Sequence, residues 1–499
     1  MVSCNFTFKI NFVTPNSSLI TFKPSSHTRI FHCSISINLV AALGWPNQLL
    51  INRAQNERKW NTFRTKTHRS TESAIYRALF FATYFLSFQP TKPLSQPFLS
   101  GRWKPLWTLI PKLDLEDNSI SDHTVYSVLA QHAAPVLQNF TLSWRSPCRT
   151  SHLNKWIHTA MSRNVQQLDL QIECGRLFEL PHTVFHCKTL VVLELSGEIK
   201  LDPPPSFQLP SLKILRLYEI CYTSHNSFSS LCSACPILED LKVLRDDTDN
   251  VTNFKINVPT LKRLYIELVS CLTGEPPDFK VEIYAPVLQH FRFYGDLRNI
   301  VFLEKLAHLV EAHVDVHTDN DWVRVFEFYY GDRVFKLLKE LNNAKFLSIF
   351  PGDKECIGFG SIYPSMFQNL VRLNFKVTRT NWHVLQSLLV VAPNLEVLVI
   401  DKDYYYKNQL CWMEPPDGPG CLSSHLTTFN FNGFEELEHE VKFIKYILKE
   451  ARILNTVKIR VSDLHSKESV LKKLSIFPRH SSTCLLTVEI DSIEENSLV

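Results

Sequence analysis

One short pattern runs through most of this 499-residue chain and limits what it can fold into: an apolar residue, two variable residues, a second apolar residue, one variable residue and a third apolar residue. Val165-Gln-Gln-Leu168-Asp-Leu170, Leu190-Val-Val-Leu193-Glu-Leu195 and Leu212-Lys-Ile-Leu215-Arg-Leu217 are clear copies. Others begin at Leu238, Leu261, Leu288, Leu309, Leu370, Leu395, Leu426 and Leu454, and a weaker one at Leu137. From Leu137 to Leu309 successive copies start 21 to 28 residues apart. The interval of 61 residues that follows holds a degenerate copy at Lys345-Phe-Leu-Ser-Ile349.

The alternation inside the motif is that of a short strand with every second residue turned inward. One such unit cannot bury its apolar face alone, whereas stacked units bury a continuous core. An LxxLxL core at this period is the signature of a leucine-rich repeat. The expected fold class is therefore α/β: a leucine-rich-repeat solenoid, a curved parallel sheet with short helices on its convex side. An ordinary α/β domain with parallel strands is the competing reading, and a dozen near-evenly spaced copies weigh against it. Between strands, residues 227–236 and 382–393 read as short helices ended before a proline.

The variable strand positions line the concave face. They include Gln167, Asp169, Arg216, Tyr218, Lys242, Tyr265, His290, Arg292, Tyr294, His313, Arg372, Asn374 and Lys376. Arg216, Tyr218, Tyr265, Arg292, Tyr294 and Arg372 are the candidate target-binding residues, because tyrosine and arginine combine large contact area with several hydrogen-bond donors. A merely solvated strand face is the alternative.

Composition narrows the function classes. Hydrophobic residues at 45% and charged residues at 20% suit a folded soluble protein. Only 13 glycines argue against glycine-rich nucleotide-binding turns. A net charge of +4 calls for neither nucleic acid nor an anionic membrane. The longest apolar run, residues 78–88, is far short of the roughly 20 residues that span a bilayer. The 13 scattered cysteines fit free thiols in a reducing compartment better than a disulfide framework. Cys232-Ser-Ala-Cys235 is a lone CxxC without the second pair that zinc needs. There is no GxxxxGK, HExxH or GxSxG sequence. No catalytic residue, metal or cofactor is expected, since repeat arrays seldom converge acid, base and nucleophile in one dry pocket.

Two further segments carry a family resemblance. Leu86-Ser-Phe-Gln-Pro-Thr-Lys92, Leu99-Ser-Gly-Arg-Trp-Lys-Pro-Leu-Trp-Thr108 and Pro111-Lys-Leu-Asp-Leu115 resemble the second half of a plant F-box and the strand after it. Cys411-Trp-Met-Glu-Pro415, Cys421-Leu-Ser-Ser-His-Leu426, Glu440, Phe443, Tyr446-Ile-Leu448, Ala451, Leu454, Pro478-Arg479, Ser481 and Cys484 resemble an FBD domain. With the repeats between them, residues 86 to the end are similar to the plant F-box/FBD/LRR-repeat proteins. The resemblance implies a non-catalytic substrate receptor of a cullin-RING (SCF-type) ubiquitin ligase. A Skp-family adaptor and its cullin complex would bind the F-box-like segment through Leu86, Pro90, Leu99, Trp103 and Trp107, and the repeats would hold an unknown target protein. The segment departs from the family pattern: the opening F-box helices are replaced by an apolar aromatic run, Gln89 stands in place of leucine, and Pro93 and Pro97 fall where a helix is expected. A repeat-only binding module without adaptor is therefore the second reading.

The resulting division is an N-terminal extension (1–75), a truncated F-box-like segment (76–117), leucine-rich repeats (118–410) and an FBD-like domain continuing the solenoid (411–492). The extension carries nine Lys and Arg against Glu57 alone as far as residue 71 and lacks apolar period. It reads as disordered or as a mistaken gene prediction. Cytoplasmic or nuclear localisation is expected, with organellar import through this basic, hydroxyl-rich stretch as the alternative.

Overall fold

The computed structural model of the chain describes residues 106–117, 120–246, 251–269, 280–297, 299–317, 327–352, 367–378, 381–402, 412–415, 418–461 and 467–490. A single 3-10 turn, Leu106–Leu109, leads into β1 (Lys112–Glu116), which is followed by α1 (Asp122–Gln131), β2 (Asn139–Trp144), α2 (Thr150–Met161) and β3 (Gln167–Ile172). The chain then alternates between two sides. β5 (Val192–Gly197), β7 (Ile214–Tyr218), β9 (Asp240–Asp246), β11 (Arg263–Val269), β13 (His290–Gly295) and β15 (Glu311–Val316) extend the main sheet. The short β4 (Phe178–Glu179), β6 (Ile199–Leu201) and β8 (Cys221–Tyr222) form one three-stranded sheet on the return side. β10 (Asn253–Asn257), β12 (Lys280–Tyr284) and β14 (Asn299–Phe302) form another. Return helices here are α3 (His182–Phe185) and α4 (Ser227–Ser233).

Beyond β15 the main sheet continues through β16 (Phe346–Phe350), β17 (Arg372–Val377), β18 (Val397–Lys402), β19 (Thr428–Phe434), β20 (Thr456–Val461) and β21 (Leu485–Ile490). Its return elements are α5 (Glu327–Glu340), α6 (Trp382–Val391), α7 (Gly420–Ser424), α8 (Glu438–Glu450) and α9 (Lys467–Ser475). The main sheet thus has fifteen strands, each paired in parallel with the next repeat's strand. This is the leucine-rich-repeat solenoid expected from the motif.

One turn launches many of these strands. The carbonyls of Leu209, Cys235, Val258, Ala285 and Ala392 accept the N–H groups of Leu212, Leu238, Leu261, Leu288 and Leu395, three residues on. Pro210, Pro236, Pro259, Pro286 and Pro393 occupy the second position of each turn. Proline's fixed φ suits that position, and its missing N–H is not needed there. The residue before the motif's first apolar position then binds back to the preceding unit. Thr189, Ser211, Thr260 and Asn394 donate to the carbonyls of Val165, Lys188, Leu238 and Gln368 at 2.7–2.9 Å.

From there the backbone ladder takes over. Val191 and Val192 both donate to Gln166, Lys213 and Ile214 both donate to Val191, and Glu239 and Asp240 both donate to Lys213. The same two-to-one step recurs as far as Asn455 and Thr456 on Thr427. The apolar positions stay in register throughout. A single row runs from Leu113 through Phe140, Leu168 and onward to Leu486, and every member is buried. Each fully buried leucine contributes roughly 1.5–3 kcal/mol. The degenerate copy belongs to this row, with Leu347 between Ala312 and Leu373. Ala344, buried, takes the place of its missing first leucine.

Two features go beyond the sequence reading. Strands as well as helices occupy the return side before β15, because segments such as Ile199-Lys-Leu201, Phe254-Lys-Ile256 and Val281-Glu-Ile283 alternate with period two. The main sheet also ends on β21, a strand with no copy in the motif series, where Thr483 stands at the motif's first apolar position; it starts at Lys112, in the strand that the resemblance put after the F-box.

The carboxy-terminal units are pinned by two contacts. Trp412, 3% exposed, lies 5.9 Å from the Trp382 ring, 4.6 Å from Phe443 and 5.5 Å from Tyr446, joining α6 to α8. Glu440, fully buried, accepts the N–H groups of Glu435 and Leu437 at 3.0 and 3.1 Å and meets Lys402 Nζ at 2.6 Å. It caps the start of α8 and ties that helix to β18.

Gly295 ends β13 at φ +112°, and a Cβ there would stand 2.0 Å from the Leu268 carbonyl oxygen of β11. Gly295→Ala is expected to lower stability by on the order of 3 kcal/mol. Gly420→Ala, where an added Cβ meets nothing within 4 Å, is expected to change it by under about 0.5 kcal/mol. Equilibrium denaturation of the two variants beside the parent checks both values.

Candidate protein-binding face

Alternation puts three outward columns on each main-sheet strand, and register aligns them from one repeat to the next. The central column reads Asp114, Thr141, Asp169, Glu194, Arg216, Lys242, Tyr265, Arg292, His313, Ser348 and Asn374 from β1 to β17. Carboxylates occupy its first part. From Arg216 to Asn374 it carries none.

At the boundary Arg216 pairs with Glu194 at 3.0 Å. Burial first, and then Glu194, push the Tyr218 hydroxyl up to about 12. Next come cation and ring contacts. Lys242 Nζ lies 5.1 Å from the centre of the Tyr218 ring and 4.6 Å from that of Tyr265. Tyr265 donates its hydroxyl to Glu267 at 2.7 Å, which fixes the ring beside the lysine. On the following strands Tyr294 and His317 are 4.9 Å apart, and His317 and Phe350 are 5.0 Å apart. Lys376 stands 4.5 Å over Phe350, and Arg372 stands 5.5 Å over Phe346. Contacts of this kind contribute about 0.5–1 kcal/mol each at exposed sites and hold flat rings and cations in fixed positions.

A depression of about 350 Å³ opens in this tract. Tyr265, Arg292 and Tyr294 line it on one side, and Phe350, Asn374 and Lys376 on the other. Of the six candidate target-binding residues, three therefore converge. Arg216 and Tyr218 adjoin them through Lys242, whereas Arg372 lies beyond the depression and donates to Asn374 at 3.1 Å. The sequence reading missed His317, Phe346 and Phe350. The two phenylalanines flank the core of the degenerate copy, so aligning that copy on Leu347 would have found them.

Glu311 bridges two histidines, His290 at 3.2 Å and His313 at 2.5 Å. Burial alone would raise its carboxyl, but the bonds to His313 and His290 hold it below the usual range. The CxxC pair is packed away from this face. Cys232 and Cys235 are each 2% exposed in the core, and the Cys235 thiol donates to the Leu231 carbonyl at 3.1 Å. Burial pushes the Cys235 thiol up to about 12.

Of the adaptor-binding candidates, Leu86, Pro90, Leu99 and Trp103 lie outside the described residues, as does the N-terminal extension. Trp107 falls in the 3-10 turn that precedes β1. Among the described residues, no helix is long and apolar enough to cross a membrane.

Comparison with known proteins places this face in a family context. Residues 414–459 match the family model described as FBD. Residues 153–299 match the model described as FBD-associated F-box protein At5g56370, LRR repeats. F-box/FBD/LRR-repeat protein At4g26340 of Arabidopsis thaliana is 30% identical over 429 residues, covering 80% of this chain and 96% of that protein. FBD-associated F-box protein At3g52670 of the same plant is 30% identical over 433 residues, covering 81% and 94%. F-box/FBD/LRR-repeat protein At5g56420 is 30% identical over 426 residues, covering 81% and 96%.

Burial, reinforced by Glu194 and Asp114 and opposed by Arg216 and Lys112, pushes the Asp169 carboxyl up to about 6. A carboxyl raised above its unfolded value near 3.9 contributes stability at acid pH and loses that contribution as pH rises through the folded value. Asp169→Asn is therefore expected to stabilise the protein by on the order of 1 kcal/mol at pH 8. The advantage should vanish below about pH 4. Thermal unfolding of parent and variant across that range measures it.

Proposed function

The chain belongs to the F-box/FBD/LRR-repeat family, and on that footing we propose that it is the substrate-recognition subunit of an SCF-type cullin-RING ubiquitin ligase. It performs no chemistry itself. The repeat face holds a target protein, and the segment 86–108 engages a Skp-family adaptor. The observation that carries the target half is the tract from Tyr218 to Lys376, where rings and cations are held by one another over adjoining strands. Preorganised aromatic and arginine side chains lose little freedom on binding, which is the property that makes interface hot spots. Tyr265, Arg292 and Tyr294 around the depression are its centre, with Arg216, Tyr218 and Arg372 on the flanks.

The adaptor half rests on Leu86, Pro90, Leu99, Trp103 and Trp107 by family resemblance. Pro93 and Pro97 support a second reading, because interior prolines cost about 3 kcal/mol in a helix. On that reading the chain is a repeat-only binding module that has lost adaptor coupling.

The two halves separate in one experiment on the full chain. Leu99→Arg with Trp103→Ala should reduce co-purification of a Skp-type adaptor at least tenfold and leave target capture unchanged. Tyr265→Ala with Arg292→Glu should do the reverse, since hot-spot truncations cost about 2 kcal/mol or more. If the unmodified chain retains no adaptor, the ligase reading fails and the binding module stands. If Tyr265→Ala with Arg292→Glu leaves target capture intact, the face has been misplaced.

A further inference from the structure

The first two return helices hold a cluster unrelated to the repeat face. Asp122 opens α1, Cys148 lies in the loop before α2, and His152 sits in the first turn of α2. A carboxylate oxygen, the thiol sulfur and a ring nitrogen of these residues all lie within 4.8 Å of one another. His152 Nδ1 is 3.1 Å from Asp122 Oδ2. A tetrahedral ion with bonds of about 2.0–2.3 Å sets its ligand atoms about 3.3–3.8 Å apart. Small side-chain rotations therefore close the three donors onto one centre.

The surroundings fit an ion better than a simple Asp–His tie. Among the described residues the Cys148 thiol makes one weak hydrogen bond, 3.6 Å to the Arg149 carbonyl. Burial, then Asp122 and Cys174, push that thiol up to about 11. The Tyr126 ring meets His152 edge-on at 5.5 Å, and Trp156 lies 6.1 Å from it, so aromatic walls hold the imidazole. All three donors are partly exposed, which leaves solvent a way in. Two features hid the cluster in the sequence: the donors are not a paired CxxC, and Asp122 precedes Cys148 by 26 residues.

We propose that Asp122, Cys148 and His152 bind a zinc-type divalent cation, with water in the fourth position, and that the ion staples α1 to α2 at the first repeats of the solenoid. Mixed sulfur, nitrogen and oxygen donors select borderline-soft ions over calcium or magnesium. Bound to the folded state alone, the ion stabilises that end of the sheet by mass action.

The test uses the full chain, stripped of metal and titrated with zinc against a chromophoric chelator, with cobalt(II) as the spectroscopic probe. The expected result is one tight equivalent of zinc and a cobalt spectrum with tetrahedral d–d bands and a thiolate charge-transfer band. Cys148→Ser should remove the charge-transfer band and weaken zinc binding at least about 100-fold, and Asp122→Asn should weaken it about tenfold. Zinc should raise the thermal midpoint of the parent and leave that of Cys148→Ser unchanged, while the two metal-free midpoints agree. A parent protein with no thiolate–cobalt band overturns the proposal, whether or not the variants fold. So does a band that survives in Cys148→Ser, which would place the metal on other cysteines.

Discussion

Every unit of this protein depends on a surface that it cannot supply itself. A strand of five to seven residues carries two or three inward apolar side chains and a row of backbone groups, and both need the neighbouring strand. The two-to-one bonds, in which consecutive N–H groups share one carbonyl of the unit before, join the strands at the point where each emerges from its turn. The leucine, phenylalanine or valine after that point then falls into the common row between Leu113 and Leu486. Hydrogen bonding sets the register, and burial makes that register worth keeping, since a slip of one residue would turn every apolar side chain outward.

This coupling explains why so much of the fold was legible. The motif specifies strand, inward face and neighbour at once, so a dozen copies determine the parallel sheet without any knowledge of the loops. The proline turns and the Thr, Ser or Asn before several of the leucines (Thr189, Ser211, Thr260 and Asn394) are local chemistry of the same kind. The motif failed where one member changed size or polarity. Ala344 and Thr483 replace a leucine, and the strands they announce, β16 and β21, were respectively faint and unread. The return side was only half legible, because a five-residue alternation such as Asn253–Asn257 is short and sits between stronger signals.

The proposed binding face was legible in outline and not in detail for a related reason. Which residues point outward follows from alternation. Which of them converge follows from the spacing between strands, and that required the position of β16 in the stack. Phe346 and Phe350 supply the rings under Arg372 and Lys376, and because the degenerate copy was not aligned on Leu347 these two rings stayed out of view while Asn374 and Lys376 were named. The Asp122, Cys148 and His152 cluster lies further still from sequence view, since packing of two helices brings it together.

Among the described residues, two that make the family recognisable, Trp412 and Glu440, prove to be scaffold. Trp412 fills the space between α6 and α8, and Glu440 caps α8 while meeting Lys402. Neither reaches the open face. Removing one partner of a buried ion pair costs about 3–5 kcal/mol, so such positions tolerate little change for reasons of stability alone. The outward columns carry no such demand: an arginine or a tyrosine there is held by contacts of about 1 kcal/mol or less. A solenoid built this way can keep its ladder and its caps while the face is rewritten residue by residue. Family membership accordingly speaks for the scaffold, and the proposed target site at Tyr265, Arg292 and Tyr294 rests on the outward columns alone.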